Sequence, residues 1–200
     1  MKKTIKSTMP VFGALTLFCL VFAPAHAALI PPNTVSFTQS SFINVSQGDN
    51  LMVDLAGTNF TAGPDGVAFS LAWDPIVLGY VNTTVANPPW DTSFVSDDNK
   101  ALGLVDYVFL GKSAGDAGAN FAIASFTFNV LGNPGDTSAL TLSIDPFDVG
   151  FVAPGAVPIN VNFVNSQVQV VPIPAAAWLF GSGVLGLLGM KQMRKTGENT

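Results

Sequence analysis

Residues 28–173 contain no cysteine, histidine, glutamate or arginine. The chain has one residue of each type: Cys19 and His26 precede this stretch, and Arg194 and Glu198 follow it. Disulfides, thiol chemistry, Ser-His-Asp triads, Cys-His pairs and zinc sites with histidine ligands are therefore excluded there. A hydrolase that uses two paired aspartates needs only carboxylates. Twelve aspartates bring some pair together by chance, however, so this pattern is not specific. The composition predicts that the protein is not an enzyme.

Positive charge is nearly absent from the same stretch. Two lysines, Lys100 and Lys112, stand against twelve aspartates, which gives a net charge of about −10. A field of this sign repels a phosphate backbone. Nucleic acid is therefore excluded as a partner.

The aspartates offer oxygen ligands of the kind that calcium prefers. The denser groups are Asp97-Asp98-Asn99 and Asp145-Pro146-Phe147-Asp148. Neither group has the spacing of a calcium-binding loop. Aspartates that open turns by hydrogen bonding to their own backbone are the favoured interpretation. No cofactor or metal is predicted, and structural calcium remains an alternative.

The first 27 residues have the three parts of a secretory signal peptide. Three lysines precede the uncharged run Val11 to Ala23, and Ala25 and Ala27 form a small-x-small cleavage site. The run of about 13 residues is too short to span a hydrocarbon layer of roughly 30 Å. We expect cleavage before Ala28, which predicts export of the rest of the chain.

Residues 34–171 have the pattern of strands and turns, without helical periodicity of useful length. In Phe121–Val130 the alternation places Phe126, Phe128 and Val130 on one face and the polar residues between them on the other. Eight or nine short strands at this spacing predict an all-β, antiparallel sandwich. The predicted strands are Thr34–Gln39, Phe42–Val45, Asn50–Ala56, Val67–Trp73, Val77–Val85, Leu102–Leu110, Asn120–Val130, Ser138–Ile144 and Ile159–Val171.

Three runs in this region carry a family resemblance. Val45–Leu55 contains V-x-x-G-D before an alternating strand. Val67–Leu78 reads F-x-L-x-W-D-P-x-x-L, with Trp73 where the family usually has tyrosine. Phe121–Phe128 and Gly135–Ser143 supply an A-x-I-x-F strand, a glycine turn and an L-x-L-S strand. Together these runs resemble the cohesin-like domains of bacterial surface and cellulosome proteins.

The resemblance implies a jelly-roll β-sandwich of about nine strands over residues 28–170. Cohesins of cellulosomes hold a dockerin module on one exposed sheet face. No motif in this sequence marks that face, so a dockerin is kept only as an alternative partner.

Two tryptophans of the predicted sandwich have different expected roles. Trp73 lies in a predicted strand and is expected in the core. Trp90 lies in the predicted loop Asn87-Pro88-Pro89-Trp90-Asp91, where an indole either packs over one end of the sandwich or contacts a ligand such as a sugar. Both alternatives are kept, and Trp90 is the candidate ligand contact. Tyr80 and Tyr107 are expected to be half-buried in strands.

The uncharged segment that ends at Met190 predicts a transmembrane helix over residues 174–190. Its 16 residues from Ala175, or 21 from Val170, span about 24 to 32 Å as a helix. Pro174 suits the first helical turn. The basic residues Lys191, Arg194 and Lys195 follow and are expected to hold residues 196–200 in the cytoplasm as a short tail.

The run VPIPAAAWLFGSG, from Val171 to Gly183, resembles the PEP-CTERM sorting signal of Gram-negative bacteria, which here covers residues 171–195. It departs from the usual pattern in reading Pro-Ile-Pro and in its diluted basic cluster. The resemblance implies that Val171, Pro172, Ile173 and Pro174 form the motif that a membrane-embedded exosortase recognises. The protein would then cross the inner membrane, stay anchored by its C-terminal helix, and be passed to the cell surface or extracellular matrix.

These features predict a structural or adhesive role in a biofilm or exopolysaccharide matrix. The alternative is a carbohydrate-binding module that engages matrix polysaccharide. The expected partners are an exosortase, the membrane before processing, and a polysaccharide or surface protein.

Overall fold

The strands follow the alternating pattern of the sequence. The computed structural model describes residues 31–39, 42–144 and 150–172. These residues form thirteen strands and one short 3-10 helix, Lys100–Leu102. The strands are β1 (Thr34–Phe37), β2 (Phe42–Val45), β3 (Asn50–Thr58), β4 (Gly66–Ala72), β5 (Leu78–Val85), β6 (Thr92–Ser96), β7 (Leu104–Gly111), β8 (Phe121–Val130), β9 (Thr137–Ser143), β10 (Phe151–Ala153), β11 (Val157–Ile159), β12 (Asn162–Val164) and β13 (Ser166–Val170).

The strands form two sheets with a shared core. The first has the order β12-β1-β3-β8-β5. The second has the order β11-β10-β4-β9-β13-β2, with β7 also paired to β4 and β6 paired to β7. Phe69 of β4 and Phe126 of β8 meet across the interior, with their ring centroids 6.4 Å apart. The predicted all-β sandwich is confirmed.

Two strand pairs depart from the predicted antiparallel arrangement. β1 pairs with β12 and β2 pairs with β13, and both pairs are parallel. The opening stretch of the chain is divided between the two sheets, and so is the closing stretch. In the first sheet β1 therefore lies beside β12, and in the second sheet β2 lies beside β13. The two strands of each pair run in the same direction. The prediction of a wholly antiparallel sandwich is wrong at these two pairs.

The number of strands also differs from the prediction. β6, β10 and all but the last residue of β11 fall outside the predicted strands, and they have only five, three and three residues. The predicted strand Ile159–Val171 is divided into β12 in one sheet and β13 in the other. Short strands and sheet exchanges thus raise nine predicted strands to thirteen among the described residues.

The burial of β8 follows its alternation. Phe126 and Phe128 are fully buried and Val130 is 2% exposed, whereas Asn129 between them is exposed. This confirms the predicted inner face of the strand.

Four aspartates hold turns in place, which confirms the turn interpretation for them. In each case a backbone N–H donates to the carboxylate and satisfies a group that no strand pairs. The pairs are Ser46 to Asp49 at 2.8 Å, Ile76 to Asp74 at 2.9 Å, Gly118 to Asp116 at 2.8 Å and Asn133 to Asp136 at 2.7 Å.

No helix in the described part of the chain is long and apolar enough to cross a membrane. The predicted cleavage site and the predicted membrane helix over residues 174–190 lie outside the described residues. The positions concerned are Ala25, Ala27, Ala28, Ile173, Pro174, Lys191, Arg194, Lys195 and the tail 196–200, together with Asp145 and Asp148.

Candidate binding site

Trp90, the candidate ligand contact, is buried. Its side chain is 1% exposed, and its indole Nε1–H donates to the carbonyl oxygen of Ala122 at 2.9 Å. The ring packs edge-to-face on Phe121 with the centroids 5.6 Å apart. The loop crosses from β5 in one sheet to β6 in the other and encloses the indole between them. The packed alternative is therefore the observed one, and the indole is not presented to solvent.

The other predicted aromatic positions are confirmed. Trp73 is 6% exposed, and its Nε1–H donates to the carbonyl oxygen of Leu78 at 2.8 Å. Tyr80 stacks on Trp73 with the ring centroids 5.6 Å apart. Both Tyr80 and Tyr107 are half-buried. The two tryptophans of the sandwich thus stabilise the core and present no ring to a ligand.

A different set of aromatic side chains lies on an outer sheet face. Strands β6 and β7 are antiparallel neighbours, and their register places Phe94 opposite Phe109 and Ser96 opposite Tyr107. Val95 packs against the core, so the alternation of β6 turns Phe94 outward. We call Phe94, Tyr107 and Phe109 the aromatic patch.

The rings of the aromatic patch form a continuous row. Tyr107 and Phe109 are nearly parallel, at 5° with centroids 6.4 Å apart, and Phe94 lies 6.1 Å from Tyr107. Phe94 is 59% exposed. The ring of Phe109 lies over Gly111, 3.6 Å from the position that a Cβ would take. Tyr107 and Phe109 are half-buried, so Phe94 is the ring of the row most available to a partner from solvent.

The strand beside the patch presents only small side chains to the same face. Gly66, Ala68, Ser70 and Ala72 of β4 alternate with its core residues. Next to Phe109 the surface dips into a shallow depression of about 350 Å³. Ala68 and Ser70 are themselves buried, at 2% and 7% exposure, so a partner would reach this face at the rings and the depression and not at β4.

A polar network borders the patch at the start of β7. The Ser70 hydroxyl donates to the carbonyl oxygen of Asp106 at 2.6 Å, and the Asn99 amide donates to the Asp106 carboxylate at 2.7 Å. The Ser96 hydroxyl, and after it the Asn99 amide, lower the pKa of Asp106. Its Oδ1 is shielded from solvent and accepts no hydrogen bond from the described residues. Asp106 thus supplies one fixed negative charge beside the rings.

The two lysines of the sandwich lie near opposite ends of β7. Lys100 forms an ion pair with Asp97 at 2.9 Å. Lys112 lies near Asp91, whose pKa is lowered by the Ser113 hydroxyl and backbone N–H first and by Lys112 least. The three rings carry no charge, but Lys112 and Asp65 line the depression beside Phe109.

The described residues contain no group of three or more acidic, histidine or cysteine side chains that could hold a metal ion. In the group proposed for calcium from the sequence, Asp97 is paired with Lys100. The surface around the aromatic patch therefore offers rings and hydroxyl groups, with the charged side chains of Asp106, Asp65 and Lys112 at its borders. This chemistry suits non-covalent binding.

Sequence reasoning missed Phe94 and Phe109 as surface residues. The signal that could have revealed Phe94 was the stretch Thr92–Ser96, which forms a five-residue strand. In a strand, the neighbours Phe94 and Val95 face opposite sides of the sheet. Two prolines and a tryptophan directly before this stretch favoured a loop. Only the pairing of β6 with β7 brings Phe94 and Phe109 together.

No protein-family model matches the sequence, and no curated protein is similar to it. The seventh ScaB type I cohesin of Pseudobacteroides cellulosolvens is similar in structure, with a TM-score of 0.58 and 17% identity, covering 72% of this chain and 95% of that one. A type I cohesin of Clostridium thermocellum, solved with a dockerin, has a TM-score of 0.58 and 16% identity, covering 74% and 100%. The described domain has a cohesin fold.

A non-cellulosomal cohesin of the archaeon Archaeoglobus fulgidus is similar as well, with a TM-score of 0.52 and 16% identity over 74% of this chain and 96% of that one. At such identities the likeness concerns the fold. It confirms the sandwich that the three sequence runs imply. In this cohesin fold the aromatic patch lies on the outer face of the sheet that contains β4, β6 and β7.

Proposed function

We propose that the protein is exported to the cell surface or extracellular matrix of a Gram-negative bacterium, where its cohesin-fold domain holds a protein partner on the aromatic patch. Its role there is structural or adhesive, in a biofilm or exopolysaccharide matrix. The observation that carries the proposal is the outward-facing row of Phe94, Tyr107 and Phe109, in which Phe94 is exposed and the other two rings are half-buried. Aromatic side chains that become desolvated on binding commonly supply most of the binding free energy.

The likeness in fold supports a protein as the partner. Several of the similar cohesins have been solved in complex with a dockerin. The partner of this chain is expected to present apolar side chains to the rings and basic side chains around them, because the domain has a net charge of about −10. A dockerin is one candidate for it.

The route of delivery rests on the two ends of the chain. The signal peptide carries the chain across the inner membrane, and the helix over residues 174–190 anchors it there. An exosortase then recognises Val171, Pro172, Ile173 and Pro174. The Val171 N–H donates to the carbonyl oxygen of Val45 at 2.7 Å, and Pro172 is exposed. The motif therefore follows the folded domain without a linker.

A carbohydrate-binding module is the second candidate, and one observation favours it. The near-parallel rings of Tyr107 and Phe109 offer flat apolar surfaces beside the hydroxyl groups of the sheet. Sugar rings pack against such surfaces through their apolar faces. Trp90, which is buried, has no part in this alternative.

Affinity measurements on the mature protein separate the two candidates. Partners captured from host surface extract should bind the Phe94→Ser/Phe109→Ser variant at least tenfold more weakly. The matched control is Met52→Ser, which removes a 58% exposed apolar side chain from the other sheet. Competition by the host polysaccharide, or direct glycan binding lost in the double variant, would favour the carbohydrate role. Equal binding by the double variant and the control would overturn both.

The intact mass of the surface-associated protein tests the delivery route. A species that starts at Ala28 and ends near Pro174 is expected after both cleavages. A mass that runs through to Thr200 would mean that the C-terminal segment is retained, and processing by an exosortase would have to be abandoned.

A further inference from the structure

The described chain enters and leaves the sandwich at opposite ends. β1 begins beside the end of β3, where Thr34 pairs with Thr58. β2 and β13 run parallel, so that Val170 pairs with Val45 where both strands finish. The chain therefore leaves, at Pro172, on the side away from its entry. We call this side the exit end, and it comprises the segments 46–49, 74–77, 97–103, 131–136 and 171–172.

Backbone hydrogen bonds join these segments to one another. Gly135 donates to Val170 at 2.8 Å, and Leu131 donates to Val77 at 2.9 Å. On the other side of the 74–77 turn, Trp73 donates to Gly103 at 2.8 Å. The loops of the exit end thus form one connected surface around the point where the chain leaves.

Three large aliphatic side chains are exposed on this surface, and that of Leu131 lies over Gly79 at the start of β5. Ile76 is 78% exposed, Leu102 is 75% exposed and Leu131 is 51% exposed, and the first two are the most exposed large apolar side chains of the described residues. One such residue on a surface needs no explanation. Three on adjacent loops around a single chain exit form an apolar set that can face one partner.

The loops hold these side chains outward by local geometry. The Ile76 N–H donates to the Asp74 carboxylate at 2.9 Å, while the neighbouring Val77 is 3% exposed and turns inward. Leu102 ends the 3-10 helix, which Gly103 closes with a left-handed φ of 78°. The exposure of Ile76 and Leu102 therefore follows from closed, hydrogen-bonded turns.

The continuation of the chain identifies the occupant. The segment predicted to span the membrane begins at Pro174, two residues beyond Pro172, and two extended residues reach at most about 7 Å. We infer that the exit end docks on the outer surface of the membrane before processing, with Ile76, Leu102 and Leu131 in the lipid headgroup layer. This inference rests on the membrane anchoring in the proposed function.

The charges of the exit end select the kind of lipid surface. Asp49, Asp74 and Asp136 lie on its loops, and Asp97 and Asp98 precede its helix, against the single cation Lys100. Anionic headgroups repel such a surface, whereas zwitterionic headgroups do not. Docking is therefore expected on zwitterionic lipid and should weaken as anionic lipid is added.

Site-directed spin labelling tests the docking directly. The chain from Ala28 to Thr200 has no cysteine, so Ile76→Cys, Leu102→Cys and Leu131→Cys each take the label at one position alone. In vesicles of phosphatidylcholine and phosphatidylethanolamine, these labels should collide several-fold less with a water-soluble nickel complex than a label at Ala114. Ala114 is the matched control, because it is exposed in the loop after β7 at the opposite end. Adding phosphatidylglycerol should reduce the difference.

Two results would overturn the inference, and they are distinguishable. If the chain floats with the vesicles but all four labels are equally open to the nickel complex, docking is wrong while anchoring stands. If the chain does not float with vesicles, the anchoring in the proposed function fails and docking fails with it. The substituted side chains are exposed, so loss of folding is not expected, and circular dichroism of each labelled variant checks this.

Discussion

The indole of Trp90 and the carbonyl group of Ala122 are joined by a hydrogen bond of 2.9 Å. This bond links the loop between β5 and β6 to β8 and thereby connects the two sheets. Phe121 lies against the indole, and Phe60 lies against Phe121 with the centroids 4.9 Å apart. Trp90, which the sequence analysis names as the candidate ligand contact, is thus part of the core.

Replacing Trp90 by phenylalanine should lower the free energy of unfolding by about 1–3 kcal/mol. The substitution removes the indole donor, leaves the Ala122 carbonyl unpaired and opens a gap beside Phe121. Urea unfolding of the mature protein measures the change, and Trp90→Ala should cost more, about 3–5 kcal/mol. Unchanged stability combined with lost partner binding would restore Trp90 as a ligand contact.

Gly57→Ala should also destabilise the domain, by about 1–3 kcal/mol. Gly57 of β3 lies opposite Phe121 of β8, and a Cβ at position 57 would overlap the ring of Phe121. That ring cannot move freely, because it is 7% exposed and packed between Phe60 and Trp90. In a Phe121→Leu background the same substitution should cost clearly less, and a double-mutant cycle by urea unfolding measures the difference. Equal costs in both backgrounds would contradict the overlap.

Alternation along one strand predicted its buried face as long as the pairing stayed regular. It succeeded for the half of β8 that holds Phe126 and Phe128. Nearer the start of the strand, Ile123 and Ala124 are both buried, because the register with β3 shifts between Leu55 and Ala56. Such a bulge depends on two strands distant in sequence, so a local pattern cannot reveal it.

The same reason explains the missed candidate site. Phe94 and Tyr107 lie thirteen positions apart, and only the β6–β7 register brings their rings to 6.1 Å. Trp90 was the candidate ligand contact because the sequence of a loop does not show whether the loop packs against the core.

The phenol of Tyr80 should ionise above the ordinary tyrosine value of about 10. Burial is the main cause of its raised pKa, with a smaller contribution from Asp97, while the hydrogen bond with Thr83 acts in the other direction. Tyr107→Phe leaves Tyr80 as the only tyrosine. Absorbance at alkaline pH then reports its titration alone.

Stability should depend on this group above pH 10. The contribution of Tyr80 is complete below its unfolded pKa and is lost as the pH rises from there through the folded pKa. Thr83→Ala should raise the midpoint further. A midpoint at or below 10 in the Tyr107→Phe variant would contradict the effect of burial.

Ser96→Ala should raise the pKa of Asp106 toward the ordinary aspartate value of about 3.9. The Ser96 hydroxyl is the largest cause of the lowered pKa, followed by the Asn99 amide. Since the folded pKa is depressed, the contribution of Asp106 to stability is present above about pH 4 and is lost as the pH falls through the folded value. Carboxyl NMR titration of Asp106 measures the shift, and Ser93→Ala, an exposed serine of the same strand, is the control. No change in Ser96→Ala would contradict the assignment.

Phe94→Ser should leave the free energy of unfolding within about 0.5 kcal/mol of the natural protein. Phe94 is 59% exposed, so its removal takes little apolar surface out of the folded core. Phe69→Ala, at 1% exposure on β4 of the same sheet, should cost about 3–5 kcal/mol. A large apolar side chain that contributes so little to folding is available for binding, and urea unfolding of both variants measures the contrast. A cost above about 1.5 kcal/mol for Phe94→Ser would show that Phe94 supports the fold, and the aromatic patch would lose its most exposed member.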